Sequence, residues 1–157
     1  MEMSMHAIIF LGRMCLSTIF ILSAINKIFH WHEVEQSVMV AMGTLAGHLS
    51  NIEILKEVFA VLQQHGTALV NAAIGIELIG GLLIFLGIKA RLGAFILIVF
   101  MVPTTLLFHT FWYMQGPERE LQQVMFLKNL SIFGGLLLLL GCGCKTAKAY
   151  VPAAAEE

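Results

Sequence analysis

The chain has 157 residues, of which 59% are hydrophobic and 12% are charged. A soluble domain has about 45–50% apolar and about 25% charged residues, so both values indicate one integral membrane domain covering residues 1–157. The three cysteines and 14 glycines exclude a disulfide scaffold and a collagen-like chain, and the formal net charge of −1 offers no basic face for nucleic acid.

Four apolar stretches are each long enough for a helix that crosses the bilayer, which needs about 20 residues. The predicted helices cover residues 7–29, 67–88, 92–112 and 121–141. Residues 1–6 hold no lysine or arginine, so the first stretch lacks the basic region of a cleaved signal peptide and is interpreted as a permanent helix. The predicted fold is an all-α integral membrane protein, an antiparallel bundle of four transmembrane helices.

The connection between the first two predicted helices, residues 30–66, is too long for a simple linker. Residues 50–53, Ser-Asn-Ile-Glu, match a capping box, in which a hydroxyl and a carboxylate satisfy free amides at a helix start. Apolar residues then recur at helical spacing: Ile52, Leu55, Phe59 and Leu62. His65 and Gly66 supply a stop. The pattern predicts an extra amphipathic helix in this first outer loop, either as a cover for the bundle or as a functional lid.

Basic residues predict the orientation, because cytoplasmic connections carry an excess of lysine and arginine. Four basic residues fall on one side of the membrane: Lys89, Arg91, Lys145 and Lys148. The other side has two basic residues, diluted by six glutamates: Lys56 and Arg119 among Glu33, Glu35, Glu53, Glu57, Glu118 and Glu120. We therefore expect a multi-pass inner (plasma) membrane protein whose N and C termini, including the tail 142–157, are cytoplasmic.

Every predicted helix carries polar side chains into the membrane, where an ionisable group costs roughly 2.5–3.5 kcal/mol and usually has a partner or a function. They are Arg13, Asn26, Lys27, Glu77, His109, Lys128 and Asn129. One interpretation is structural: Glu77 pairs with Lys128, or with Arg13, and holds the helices in register. The other is a pocket that opens outward and binds a polar head group, with Glu77 and His109 able to carry protons.

The three cysteines, Cys15, Cys142 and Cys144, all fall on the predicted cytoplasmic side. Thiol–quinone enzymes that exchange disulfides outside the membrane need an outward-facing pair, so these residues are interpreted as free thiols in a reducing compartment. His30 and His32 suggest a metal site, but adjacent histidines are common in interfacial belts, so no metal site is predicted. No flavin, haem or iron–sulfur motif is visible in the sequence.

Motifs in all four predicted helices resemble the DoxX family, a family of four-helix membrane bundles from bacteria and archaea. The resemblance covers roughly residues 7–141 and rests on Leu11-Gly12-Arg13, Asn26-Lys27-Ile28-Phe29, Gly75-Ile76-Glu77-Leu78-Ile79-Gly80-Gly81, Arg91-Leu92-Gly93-Ala94, Leu107-Phe108-His109-Thr110-Phe111-Trp112 and Phe126-Leu127-Lys128-Asn129-Leu130. The family takes its name from a subunit of a thiosulfate:quinone oxidoreductase. Other members are linked to membrane oxidoreductase complexes for thiol and oxidative stress, and similar eukaryotic bundles act as assembly factors for membrane proteins.

The resemblance implies a subunit of a quinone-linked membrane oxidoreductase. In this hypothesis a quinone enters from the outer leaflet and is hydrogen-bonded by His109 and Lys128, while Glu77 handles protons. Four further residues bind the head group or tune its charge state: Arg13, Asn26, Lys27 and Asn129. The electrons come from a partner oxidoreductase subunit or directly from a small sulfur anion.

Two alternatives stay open at this point. A non-enzymatic assembly or interaction factor would use the charged core to hold helices of partner membrane proteins. A small-solute transporter is less favoured, because the two halves of the chain show no inverted repeat. The lipid bilayer is the partner that the sequence establishes, and both a homo-oligomer and a partner subunit are compatible with it.

Overall fold

A computed structural model describes residues 5–143, and this part of the chain consists of helices joined by short connections. The α-helices are α1 (Met5–Phe29), α2 (Trp31–His48), α3 (Glu53–Gln64), α4 (Gly66–Leu86), α5 (Ala90–Phe108) and α6 (Pro117–Cys142). A short 3-10 helix, Phe111–Tyr113, lies between α5 and α6. Residues 5–143 contain no β-strand, so the predicted all-α class is confirmed.

Within residues 5–143, four helical segments are long and apolar enough to cross a membrane. They are Ala7–Phe29, Gly66–Leu86, Ala90–Tyr113 and Pro117–Cys142. Each overlaps one of the apolar stretches found in the sequence, so the prediction of four such segments is confirmed. The largest difference in a boundary is at α6, which already begins at Pro117, because proline suits the first turn of a helix.

The predicted outer loop contains a helix that the sequence analysis missed, α2. His30 separates α2 from α1, with a φ of −116° and a ψ of 38°. Helical hydrogen bonding nevertheless continues across this residue: the His30 N–H donates to Asn26 O and the Val34 N–H donates to His30 O, both at 3.0 Å. Polar and apolar residues are not clearly separated onto two faces of α2, so hydrophobic periodicity does not reveal it.

The predicted capping box at the start of α3 is wrong. α3 begins at Glu53 with Ile52 as its N-cap residue, and no side chain caps it. Ser50 lies two residues before the N-cap, in a turn where the Ile52 N–H donates to Leu49 O at 3.0 Å. Its hydroxyl is therefore not at the position from which a capping side chain reaches the free amides of a helix start.

α4 occupies the centre of the helix packing, since it contacts α1 on one side and α5 on the other, and α5 in turn packs against α6. α1 and α6 meet along a much shorter stretch. A cluster of buried apolar residues lies between these helices: Phe20, Ile84, Ala94, Leu97, Met101 and Leu136. Because lipid tails are as apolar as these side chains, close packing rather than exclusion from water stabilises such contacts in a bilayer.

Two glycines allow α4 and α5 to approach each other closely. A Cβ atom on Gly93 would lie 2.8 Å from the carbonyl oxygen of Gly80. A Cβ atom on Gly80 would lie 2.7 Å from Leu97 Cγ. Both distances are too short for real side chains, so the absence of a side chain at these two positions sets the separation of the two helices.

Arginine side chains lie at the C-terminal ends of α4 and α6. The C-cap residue of α4 is Gly87, whose φ of 74° is left-handed, and a Cβ atom there would overlap the guanidinium group of Arg13. Arg91 Nη2 donates to Gly141 O in the last turn of α6, at 2.7 Å. A cation is favourable there because the last carbonyl groups of a helix carry partial negative charge. We call this side of the bundle the Gly87 end, and the opposite side, where α2 packs, the α2 end.

Gly87→Ala is expected to lower the free energy of unfolding by about 1–2 kcal/mol, because alanine disfavours left-handed backbone and its methyl group would displace Arg13. Thermal unfolding in detergent, followed by circular dichroism, measures the change. Gly75→Ala is the matched control: Gly75 lies inside α4, and no neighbouring atom is within 4 Å of an added Cβ. A Gly87→Ala variant as stable as Gly75→Ala would contradict this role of Gly87.

Candidate functional site

Lys27 and Glu77 form an ion pair within the membrane-spanning segments of α1 and α4. Lys27 Nζ donates to both carboxylate oxygens of Glu77, at 3.0 Å to Oε1 and 2.8 Å to Oε2. The Ser23 hydroxyl donates to Glu77 Oε1 at 3.2 Å and accepts from Lys27 Nζ at 2.5 Å. The side chain of Glu77 is 5% exposed and that of Lys27 is 19% exposed. We call these three residues the ion-pair cluster.

The cluster forms because α1 and α4 pack closely and present these side chains at the same height. Ser23 and Lys27 are four residues apart, so they share one face of α1. One turn after Glu77, Gly81 lies so close to α1 that an added Cβ would be 2.9 Å from Ile21 Cγ1. Pairing and hydrogen bonding compensate both charges in surroundings where a single buried charge would be strongly unfavourable.

Lys27 is the partner of Glu77, and the sequence-based candidates Lys128 and Arg13 were wrong. Arg13 lies against the turn that follows α4, about 15 Å from Glu77 along the helix axis at 1.5 Å per residue. Lys128 is exposed on α6, and its Nζ contacts Met125 Sδ at 3.4 Å. No carboxylate in the part of the chain that the structure describes pairs with Lys128.

Two other predicted site residues lie in a different interface, between α5 and α6. Asn129 Nδ2 donates to Oγ1 of the buried Thr105 at 3.0 Å. His109 Nδ1 lies 2.7 Å from Gln122 Oε1, so this partner requires the ring tautomer with a hydrogen on Nδ1. Both bonds tie α6 to α5, and neither of them reaches the ion-pair cluster.

Asn26 completes the set of predicted site residues and is exposed on α1. Its backbone carbonyl accepts the hydrogen bond from the His30 N–H. Of the predicted site residues, Lys27 and Glu77 are brought into direct contact. Sequence reasoning missed the third member of the cluster, Ser23, although its spacing of four residues from Lys27 was an available signal.

Cavities open on the surface of the bundle that residues 5–143 form. A crevice of about 150 Å³ lies between α5 and α6, where Phe126 and Phe133 contribute apolar walls and Thr105 and Asn129 contribute polar atoms. A larger cleft of about 550 Å³ lies at the α2 end, between α2 and the last turn of α5. No residue of the ion-pair cluster lines either cavity.

α2 is anchored at both of its ends. Two hydrogen bonds fix its first half to α4: Trp31 Nε1 to Asn71 Oδ1 at 3.0 Å, and Thr67 Oγ1 to Glu35 Oε1 at 2.6 Å. At its other end the ring of His48 stacks on that of Tyr113, with the centroids 4.0 Å apart and the planes at 4°. α2 therefore bridges α4 and the segment that follows α5.

Residues 5–143 contain no group of three or more His, Cys, Asp or Glu side chains that could hold a metal ion. Cys15 and Cys142 are free and exposed thiols. Cys144, Lys145 and Lys148, which the sequence analysis placed in a cytoplasmic tail, lie outside the residues that the structure describes.

The fold and the cluster define a class of protein: a membrane protein whose described part, residues 5–143, is helical and has four candidate spanning helices joined by an internal Lys–Glu pair. The DoxX family model matches residues 8–110, which is more than half of the chain. The chain therefore belongs to the DoxX family, and the family predicted from its motifs is confirmed. No curated protein and no solved structure shows significant similarity to the chain.

Proposed function

We propose that this DoxX-family protein is the inner-membrane subunit of a quinone-linked oxidoreductase of the thiosulfate or thiol type, with both termini in the cytoplasm. The observation that carries the proposal is the exposure of Lys128 two helical turns from the place where α6 contacts α1. In our proposal the face of α6 that carries Lys128 is directed toward the ion-pair cluster at that height, and the bilayer fills the space between them.

Contacts between neighbouring helices support an antiparallel bundle. Arg13, in the first half of α1, lies at the end of α4, whereas Lys27, in the last turn of α1, pairs with Glu77 in the middle of α4. The same reversal relates α5 and α6 through two pairs: Arg91 with Gly141 and His109 with Gln122. Successive spanning helices therefore run in opposite directions in this proposal.

The opening lies between α1 and α6. These helices touch at Leu16, whose Cδ1 is 3.3 Å from a Cβ atom built on Gly135. Ser23 follows Leu16 by seven residues on α1, and Lys128 precedes Gly135 by seven residues on α6. Seven residues make about two turns, or about 10 Å. Ser23 therefore shares the face of α1 that carries Leu16, Lys128 shares the face of α6 that carries Gly135, and both lie farther toward the α2 end. α1 and α6 meet along a short stretch, and Lys128 is exposed. In our proposal a molecule dissolved in the bilayer therefore reaches Lys27 laterally between the two helices.

A quinone head group suits this opening chemically. Its two carbonyl oxygens accept hydrogen bonds, and the exposed ammonium group of Lys128 can donate one. The three N–H groups of Lys27 are used within the ion-pair cluster, so Lys27 acts on the quinone through its charge. Reduction to the quinol takes up two electrons and two protons. In our proposal Glu77 and Lys27 hold and transfer the protons, while the electrons come from a partner subunit or a small sulfur anion. Two cations beside one carboxylate also stabilise the negative charge that develops on the quinone oxygen.

The other predicted site residues have supporting roles in this proposal. His109 and Asn129 hold α6 to α5, and Arg13 stabilises the C-terminal end of α4. Lys89 and Arg91 lie at the Gly87 end, whereas glutamates predominate in the connections at the α2 end. This distribution supports a cytoplasmic location for the Gly87 end.

α3 fits the proposal as an amphipathic helix at the membrane surface. None of its residues is fully buried. Leu55, Phe59 and Leu62 are half-buried, whereas the neighbouring apolar residues Ile54 and Val58 are exposed. The polar residues occupy the opposite arc of the helix, as expected for a helix whose apolar side enters the interface between water and lipid.

The proposal is tested by quinone binding and reduction in lipid nanodiscs, with decylubiquinone as the probe and thiosulfate, then glutathione, as the electron donor. Lys128→Met is expected to weaken quinone binding at least about tenfold, because a hydrogen bond from a charged donor contributes roughly 1.5–3 kcal/mol. Glu77→Gln is expected to abolish turnover while binding persists. Lys89→Met is the matched control, since it removes an exposed lysine at the Gly87 end.

Circular dichroism first establishes that each variant keeps its helical content. If well-folded wild-type protein neither binds nor reduces the quinone, the oxidoreductase proposal fails. Equal binding by the wild-type and Lys128→Met proteins would reject the opening between α1 and α6 as the site. His109→Ala is expected to leave quinone binding unchanged. A loss of quinone binding in this variant would favour the site predicted from sequence, in which His109 binds the quinone.

A second candidate function is that of an assembly or interaction factor for other membrane proteins. Lys128 favours it as well, because an exposed ammonium group in a spanning segment attracts an acidic residue on a neighbouring helix. In that case Lys128→Met lowers the yield of a co-purifying membrane protein, and no quinone binds to the wild-type chain. The two candidates therefore predict opposite results in the quinone-binding assay.

A further inference from the structure

We infer that the cleft at the α2 end binds a small amine with an apolar body. The cleft has a volume of about 550 Å³, which lies within the range of small-molecule pockets, about 300–1,000 Å³. No lining residue belongs to the ion-pair cluster or to the opening between α1 and α6. The inference therefore stands independently of the proposed quinone site.

The two walls of the cleft differ in polarity. The polar side chains of the α2 wall are Glu33, Gln36, Ser37 and Thr44. The opposite wall comes from the end of α5 and the residues after it, and its apolar side chains are Leu107, Phe108 and Met114. A ligand that fills the cleft needs an apolar body against the second wall and a polar group directed toward α2.

Three of the four polar side chains of the α2 wall offer hydrogen-bond acceptors, and the fourth, Gln36, can both donate and accept. The hydroxyl group of Ser37 already donates to Glu33 O at 2.8 Å, and that of Thr44 donates to Val40 O at 2.9 Å. Both hydroxyl oxygens keep lone pairs that can accept a further bond. The Glu33 carboxylate is exposed and pairs with no cation in the helices described here. The polar group of the ligand is therefore a hydrogen-bond donor.

Among groups that donate hydrogen bonds, an ammonium group best matches the charge of the residues that line the cleft. None of the residues that line the cleft is basic, and Glu33 is the acidic residue among them. An anionic ligand would face a carboxylate with no cation to balance it, whereas an alcohol would donate a hydrogen bond without the gain from opposite charges. Because α2 is anchored at both ends, the cleft is already formed and little ordering is needed on binding.

Three probes that share one aromatic ring test the charge preference. They are 2-phenylethylamine, 2-phenylethanol and phenylacetate, which are cationic, neutral and anionic at pH 7. Each is titrated calorimetrically into the full chain in phosphatidylcholine nanodiscs, and the heat from empty nanodiscs is subtracted. We expect the amine to bind about tenfold more tightly than the alcohol, because a charged partner strengthens a hydrogen bond, and phenylacetate to show no measurable binding.

Variants locate the binding within the cleft. Glu33→Gln is expected to lower the affinity for the amine about tenfold and to leave the affinity for the alcohol unchanged. Thr44→Trp fills the cleft and is expected to abolish binding of both probes, with Ser37→Leu in its place if the first variant does not fold. Glu118→Gln removes an exposed carboxylate outside the cleft and is the control without effect.

Three results would overturn the inference. The first is the absence of amine binding to the folded wild-type chain. The second is an unchanged amine affinity in Glu33→Gln, which would show that the carboxylate does not contact the ligand. The third is binding of phenylacetate as tight as that of the amine.

Discussion

Lys27→Met is expected to lower the free energy of unfolding by about 3–5 kcal/mol, because removal of one partner leaves the other charge of a buried ion pair uncompensated. The carboxylate of Glu77, 5% exposed, would keep only the hydroxyl of Ser23 as a hydrogen-bond donor. Lys27 itself is 19% exposed, so water can partly replace it and the loss falls toward the lower end of this range. Reversible unfolding in detergent, followed by circular dichroism, measures the effect.

The double variant Lys27→Met/Glu77→Leu separates the loss of an ion pair from the loss of packing. With both charges gone, the stability is expected to return close to that of the wild type, since apolar side chains can replace a buried pair. Lys128→Met is the matched control at an exposed position, and its expected change is within about 0.5 kcal/mol. If Lys27→Met is as stable as Lys128→Met, the ion pair does not hold α1 against α4.

The four spanning segments could be predicted from sequence because their signal is local, a long run of apolar residues. α2 could not, because it is stabilised by residues that are distant in the chain. A Cβ atom on Gly66 would overlap the Met39 side chain, and Trp31 donates its hydrogen bond to Asn71. These contacts exist only after α4 has packed against α2, so the spacing of apolar residues within residues 31–48 cannot predict them.

For the candidate site, likewise, the individual residues could be predicted from sequence, whereas their contacts with residues distant in the chain could not. Sequence identifies Lys27 and Glu77 as costly groups inside the membrane, but their pairing depends on the height and rotation of each helix. Arg13 precedes Lys27 by 14 residues, or about 21 Å along α1, so it reaches the end of α4 instead of the cluster. The exposure of Lys128 likewise depends on how far α6 diverges from α1.

Gly93→Val is expected to lower the free energy of unfolding by about 3 kcal/mol or more, because the added side chain has no space between α4 and α5. Its Cβ would lie 2.8 Å from Gly80 O, 3.0 Å from Leu83 Cβ and 3.1 Å from Ile84 Cγ1. The first of these is a backbone atom inside a helix and cannot rotate away. α5 must therefore move away from α4 as a whole, which also opens the contact between Gly80 and Leu97.

Thermal unfolding of Gly93→Val beside Gly134→Val isolates this packing effect. Gly134 lies inside α6 with no neighbouring atom within 4 Å of an added Cβ, and both substitutions bring the same β-branched side chain into a helix. The difference between the two variants therefore reports the separation of α4 and α5 rather than helix propensity. Equal stability of the two variants would mean that α4 and α5 do not pack through Gly80 and Gly93.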